Sequence, residues 1–150
     1  MLCCHRLKAG SELTQRRGAE NAEAAEGPNQ LSERIIGAAV EVHRHLGPGL
    51  LESAYETCLC RELTLRGLGF TRQQSLDVAY KGVVVRGAYR VDLVVADLVL
   101  VELKAVEALS EIHQVQLLTY LRLARRPLGL VINFNTPLLW RGVRRVVNHL

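Results

Sequence analysis

The sequence predicts an α/β protein with helices packed on a sheet, and three observations predict it. Two stretches with helical spacing of apolar residues open the patterned region, between Ser32 and Arg66. Four short runs rich in Val, Leu and Tyr follow, from Leu76 to Ala105. A third helical stretch then separates these from one more apolar run, Leu128 to Asn135. The order is α, α, β, β, β, β, α, β, the alternation expected of a layered protein.

Each element has a local cause. Met1 to Gln30 is rich in Ala, Glu, Gly and Arg and poor in large apolar residues, so residues 1–30 read as a disordered leader and 31–150 as the domain. Ser32 is a fair N-cap for a helix carrying Ile35, Ile36, Ala39, Val40, His43 and Leu46. Gly47-Pro48-Gly49 breaks it. The second helix runs from about Leu51 to Arg66, with Leu51, Tyr55, Leu59 and Leu63 on one stripe and Gly67 as its C′ residue. Leu76, Val78 and Tyr80 alternate with polar neighbours, Lys81-Gly82 is a turn, and Val83–Val85, Val91–Val95 and Leu98–Ala105 are further strands. Ser110 caps a third helix that stops before Pro127. Leu138 to Val147 mixes apolar residues with arginine and fits either helix or strand.

At 150 residues the chain is one domain with enough length for a core. No apolar run approaches the ~18 residues of a membrane span, and the basic N-terminus lacks the apolar stretch of a secretory signal. A soluble, cytoplasmic protein with no membrane partner is expected; homo-oligomerisation is left open. Cys3-Cys4 and Cys58-x-Cys60 lack metal-ligand spacing and read as reduced thiols. Gly-rich phosphate-cradling loops and a Gly-x-Ser-x-Gly elbow are absent, which removes support for a small-molecule enzyme.

Charge is unevenly spread over a net +4. From Ile112 to Leu150 there is no acidic residue, while Arg122, Arg125, Arg126, Arg141, Arg144 and Arg145 fall there. Guanidinium groups pair with phosphate in bidentate fashion, so these six are candidate nucleic-acid contacts. Compositional bias offers another reason, since Arg outnumbers Lys sixteen to three.

A few charges interrupt the apolar runs. Asp92 lies within Val91–Val95, and Glu102 and Lys104 lie within Val99–Ala105. Glu102 and Lys104, two apart, share a face of their strand. A three-residue hairpin loop, Ala96-Asp97-Leu98, sets Asp92 opposite Glu102; a two-residue loop puts them on opposite faces. Two adjacent carboxylates suit a hard cation such as Mg²⁺ or Mn²⁺. Lys104 would then orient water or neutralise phosphate charge. Spacing alone favours the plainer account, a solvent-facing strand with an ordinary salt-bridge pattern. On the third helix His113, Gln116 and Tyr120 share a face, which is either the lining of a site or the wet side of the helix. Glu52, in a first turn, suits the helix dipole and is equally a candidate third acid.

The segment Gly49-x-x-Glu52-x-x-Tyr55 resembles the signature of the GxxExxY family. The blocks Ile35–Glu52, Tyr89–Val95, Val101–Glu107 and His113–Leu121 resemble it too, in the same order, so the likeness runs from about Leu31 to Val147. That family is grouped with the PD-(D/E)xK nucleases, and the resemblance implies a restriction-endonuclease-like core with a mixed central sheet flanked by helices. It implies that Asp92 is the lone acid and that Glu102-x-Lys104 is the (D/E)xK element. Gln116-x₃-Tyr120 resembles the QxxxY helix motif of RecB-type nucleases, and Glu52 stands where related enzymes carry an acid on the first core helix. Val91 departs from the proline of the superfamily name. The implied metal ligands are Glu52, Asp92, Glu102 and the Leu103 carbonyl. The expected function is metal-dependent cleavage of DNA or RNA with little sequence specificity; the alternative is a catalytically silent binding module on the same scaffold.

Overall fold

The computed structural model describes residues 25–149. Most of the expected leader and the Cys3-Cys4 pair therefore lie outside the described residues. Helix α1 spans Pro28–Leu46, with Gly27 as N-cap and Pro28 at the first helical position, where its missing N–H removes no bond. This corrects the expected start. Ser32 is buried inside the helix, and its hydroxyl donates to the Asn29 carbonyl at 2.7 Å instead of capping. Helix α2 spans Glu52–Leu65. Its end follows the expectation, with Gly67 N–H reaching Thr64 O at 3.0 Å and Leu68 N–H reaching Leu63 O at 2.9 Å. Tyr55, Leu59 and Leu63 are fully buried, but Leu51 is the exposed N-cap rather than part of their stripe.

Strands β1 (Phe70–Tyr80) and β2 (Val83–Val95) form a long hairpin. Two expected strands, Val83–Val85 and Val91–Val95, are one. The register shifts between Leu76 and Val78, and Gly87 at φ +60° absorbs the extra residues while its N–H bonds Asp77 Oδ1 at 2.7 Å. That bulge hides the continuity of β2 from its apolar pattern. Strand β3 (Val99–Lys104), helix α3 (Glu111–Ala124) and strand β4 (Leu128–Asn133) follow. A 3₁₀ turn at Leu139–Gly142 leads into β5, Val143–Val147, so the ambiguous arginine-bearing segment is part turn and part strand. No helix among the described residues is long and apolar enough to cross a membrane.

The five strands lie in sequence order in one mixed sheet. Only β3 and β4 are parallel, and α3 supplies the crossover that a parallel pair requires. Odd-numbered β3 residues Val99, Val101 and Leu103 pack on α1 and α2 together with Leu93, Leu130 and Ile132. Leu100, Val94 and Val131 point the other way, onto Leu117, Tyr120 and Leu121 of α3. Gly129 of β4 permits that second layer, because a Cβ there would lie 2.8 Å from Leu117 Cδ2. A mixed sheet with helices on both faces is the restriction-endonuclease-like architecture.

The Gly49-x-x-Glu52-x-x-Tyr55 segment has a structural logic of its own. Tyr55 is wholly buried and stacks on Phe134 with ring centroids 4.4 Å apart. Its hydroxyl donates to Gly47 O at 2.6 Å and accepts Leu50 N–H at 3.1 Å, which pins the α1–α2 loop to the core. Tyr55→Phe keeps the ring and leaves those loop groups without their partner. A loss of about 1–2 kcal/mol is expected. It would be read as a lower urea midpoint at an unchanged slope.

Candidate active site where strands β2 and β3 part

The loop between β2 and β3 is Ala96-Asp97-Leu98, three residues, with Ala96 and Asp97 both in the left-handed region. The register Leu93↔Val101 follows from it and brings Asp92 level with Glu102. Beyond Leu93 the strands part, and side chains take over from the backbone ladder. Glu102 Oε1 accepts the Asp92 N–H at 3.1 Å, and Asp92 Oδ2 accepts the Leu103 N–H at 2.8 Å. The plainer account of a solvent-facing strand fails here, because Glu102 is 7% exposed. In a strand the N–H and C=O of one residue point to the same neighbour, so the Leu103 carbonyl also opens toward the gap beside Asp92.

Electrostatics mark the gap as short of positive charge. Burial, followed by the charge of Asp92, pushes the Glu102 carboxyl up to about 8, against the pull of the Asp92 N–H and Lys104. Burial raises Asp92 as well, opposed by the Leu103 N–H and the Gln73 amide, and Glu56 and Glu52 add to the rise. Tyr120 of α3 is pushed up to about 12, first by burial and then by Glu102. Its ring lies 4.8 Å from that of Tyr89. Gln116 sits one turn earlier on the same helix face, half-buried. His113 has a separate task, accepting the Ser110 N–H at 3.1 Å to close the cap of α3.

Glu52 reaches the site from the first turn of α2. Its Oε1 accepts the Ala105 N–H at 3.3 Å, immediately after Lys104. A cleft of about 260 Å³ is lined by Glu52, Ser53, Glu56, Gln73, Asp92 and Leu103. Lys104 is half-buried and forms no ion pair among the described residues. Three of the cleft's residues, Ser53, Glu56 and Gln73, were not legible as site residues. Glu56 follows Glu52 by one helical turn, which was the available signal.

The oxygen donors fit a hard divalent cation by chemistry. Two mutually repelling, largely buried carboxylates, a free-facing backbone carbonyl and a third acid are an anionic set with little positive charge to balance it. Among the described residues no three His, Cys, Asp or Glu side chains stand close enough together to chelate an ion as they are. Glu102 is instead turned toward the backbone of Asp92, and Asp92 toward that of Leu103.

The arginines divide by position. Arg141 and Arg144 line a cleft with Glu107, Leu109 and Asn133, at the end of the sheet where β3 finishes. Asn133 is in register with Lys104. Arg122 and Arg125 are exposed at the far end of α3, where Arg126 is tied to Asp97 of the β2–β3 loop. Arg145 is on the opposite sheet face from Arg144, hydrogen-bonded to Asn29 at the start of α1. The six therefore do not form one surface.

Residues 29–146 match the family model described as the PD-(D/E)XK nuclease superfamily. No curated protein and no solved structure matches the chain.

The buried carboxylates make metal-free stability depend on pH. The folded pKa of Glu102, about 8, lies above its ordinary 4.5. The stabilisation is therefore complete below 4.5 and lost as pH rises through about 8. In EDTA, the Tm of the wild type should fall by several degrees between pH 5.5 and 8.5 relative to Glu102→Gln, which cannot ionise. Parallel curves for the two proteins would contradict a buried, proton-binding Glu102.

Proposed function

The chain belongs to the PD-(D/E)XK nuclease superfamily, and from that premise we propose that it is a divalent-metal-dependent phosphodiesterase acting on nucleic acid with little sequence specificity. Enzymes of this superfamily generally use divalent metal ions, and their substrate is nucleic acid. The observation that carries the proposal for this chain is the pairing of Asp92 with Glu102 at the parting of β2 and β3, with Lys104 one side chain further along the same face. The finer assignment to the GxxExxY family rests on the Ile35–Glu52, Tyr89–Val95, Val101–Glu107 and His113–Leu121 blocks and on the bonds made by Glu52 and Tyr55.

Asp92, Glu102 and the Leu103 carbonyl would hold Mg²⁺ or Mn²⁺, with Glu52 directly or through water. When bound, such an ion polarises a phosphoryl oxygen and offsets charge on the phosphate. The chain's own groups do the rest. Lys104, with no carboxylate partner among the described residues, is available to orient the attacking water or to stabilise negative charge on the phosphoryl oxygens. Tyr120, whose phenol is pushed by burial and Glu102 still further up from a range already above neutral, is a donor toward the phosphate or toward Glu102. Gln116 offers a second donor on the same helix face. Arg141 and Arg144 sit at the same end of the sheet as Lys104 and suit the nucleic-acid backbone; exposed Arg122 and Arg125 can extend the contact. Arg126 and Arg145, engaged with Asp97 and Asn29, are less available.

A second reading is a catalytically silent nucleic-acid or protein-binding module. The observation in its favour is that both carboxylates are already engaged by backbone donors, Glu102 by the Asp92 N–H and Asp92 by the Leu103 N–H. Side-chain rotation of the kind a cation would impose separates the two readings.

Mn²⁺- or Mg²⁺-dependent cleavage of single- and double-stranded DNA and RNA is the direct test. Asp92→Ala and Lys104→Ala should each lower the rate by at least about 100-fold with the fold intact. Equal cleavage by wild type and both variants would mean a contaminating nuclease. No cleavage, with salt-dependent binding retained, would favour the silent module. Arg141→Ala/Arg144→Ala should weaken binding across all sequences and reduce its salt dependence by about two counter-ions.

A further inference from the structure

Gln73 is the least expected residue of the cleft. It lies within β1, yet its φ is +51°, in the left-handed region that a non-glycine residue in a strand rarely adopts. The β1–β2 register pairs Arg72 with Leu93 and Gln74 with Val91, and passes over Gln73, which stands level with Asp92. Such a backbone costs on the order of 1 kcal/mol and persists where its surroundings impose it. The surroundings here are two carboxylates. The Gln73 amide Nε2 donates to Glu56 Oε1 at 2.6 Å and to Asp92 Oδ1 at 3.3 Å. A side-chain carbonyl could not face both acids, so the network fixes the orientation of the amide.

Glu56 is fixed in turn. It is 8% exposed, and its other oxygen, Oε2, accepts from Arg72 Nη2 at 3.0 Å. The chain of contacts runs from Arg72 to Glu56 to Gln73 to Asp92, and so from β1 to helix α2, back to β1 and on to β2. Its effect on Asp92 is specific. Oδ2 is held by the Leu103 N–H and Oδ1 by Gln73, so the plane of the carboxylate is set by two donors from different strands. Outer groups that orient a ligand carboxylate typically change metal affinity about 10–100-fold when removed.

We propose that Gln73, braced by Glu56, is a positioning residue that sets the orientation of the Asp92 carboxylate for a divalent cation. The proposal rests on the reading of Asp92 as a metal ligand. It assigns the left-handed backbone of Gln73 a purpose, the aiming of its amide between two acids. The Arg72–Glu56 ion pair becomes the support that keeps Gln73 there.

The test is Mn²⁺ titration followed by the metal-induced rise in Tm, each variant measured against its own Tm in EDTA. Gln73→Gly removes the amide and relieves the backbone, and Gln73→Asn keeps an amide too short to span the two acids while tolerating the left-handed conformation. Each should raise the Mn²⁺ midpoint by about tenfold. Glu56→Gln, which weakens the brace and also withdraws a negative charge felt by Asp92, should follow them. A merely structural role would lower the Tm in EDTA and leave the midpoint unchanged, and that result would overturn the proposal. A lower midpoint would also overturn it, by showing that the amide competes with the cation. Asp92→Asn tells the two readings apart. If it binds Mn²⁺ as wild type does, the ligand reading fails. If it loses binding while the Gln73 variants keep it, only the positioning role fails.

Discussion

A strand alternates its faces residue by residue, so a hairpin loop decides which side chains of two strands can meet. In this protein that decision is made by Ala96, Asp97 and Leu98. Two consecutive left-handed residues close the turn, and Arg126 grips Asp97 from the end of α3. With one residue fewer, Asp92 and Glu102 would emerge on opposite sides of the sheet. Both sheet faces are covered by helices, so one of the acids would then be driven into an apolar layer without a partner. The chemistry of the site and the placement of the core thus share one constraint.

Where the two strands separate, their carboxylates serve as substitutes for the missing ladder, each accepting an N–H from the other strand. Those bonds satisfy backbone donors that would otherwise be stranded. They also keep two acids close together under conditions in which their charges repel. The result is a pair that holds a proton readily and that gains from positive charge. Lys104 provides some of that charge on one side, and Arg72 compensates Glu56 on the other. The acids between them are left for whatever the cleft receives.

Much of this was legible in the sequence because it follows from short-range rules. The helices α2 and α3, the Gly67 stop, the Lys81-Gly82 turn and the three-residue requirement on the β2–β3 loop all come from local spacing and turn chemistry. The start of α1 was misread because Ser32 is a good cap in isolation, whereas Gly27-Pro28 already begins the helix. Strand β2 appeared to be two strands because a bulge at Gly87 interrupts its alternation. Gln73 and Glu56 were invisible for a different reason. One depends on a backbone conformation that its residue type disfavours, and the other on side-chain bonds from Arg72 and Gln73 that only the fold brings within reach. The arginines, collected by composition into one group, are separated by the sheet into both of its ends and both of its faces.

Tyr55 links parts of the molecule that mutagenesis would treat as unrelated. It fastens the α1–α2 loop, stacks on Phe134, and the backbone N–H of Phe134 in turn holds the Lys104 carbonyl at 2.9 Å. Harm to that tyrosine would therefore travel along one continuous strut to the lysine's backbone. A screen scored only by loss of the proposed activity would group Tyr55 with Lys104 and the candidate site. Its true place is in the frame, and a residue's presence in a signature motif is no guide to which of the two it serves.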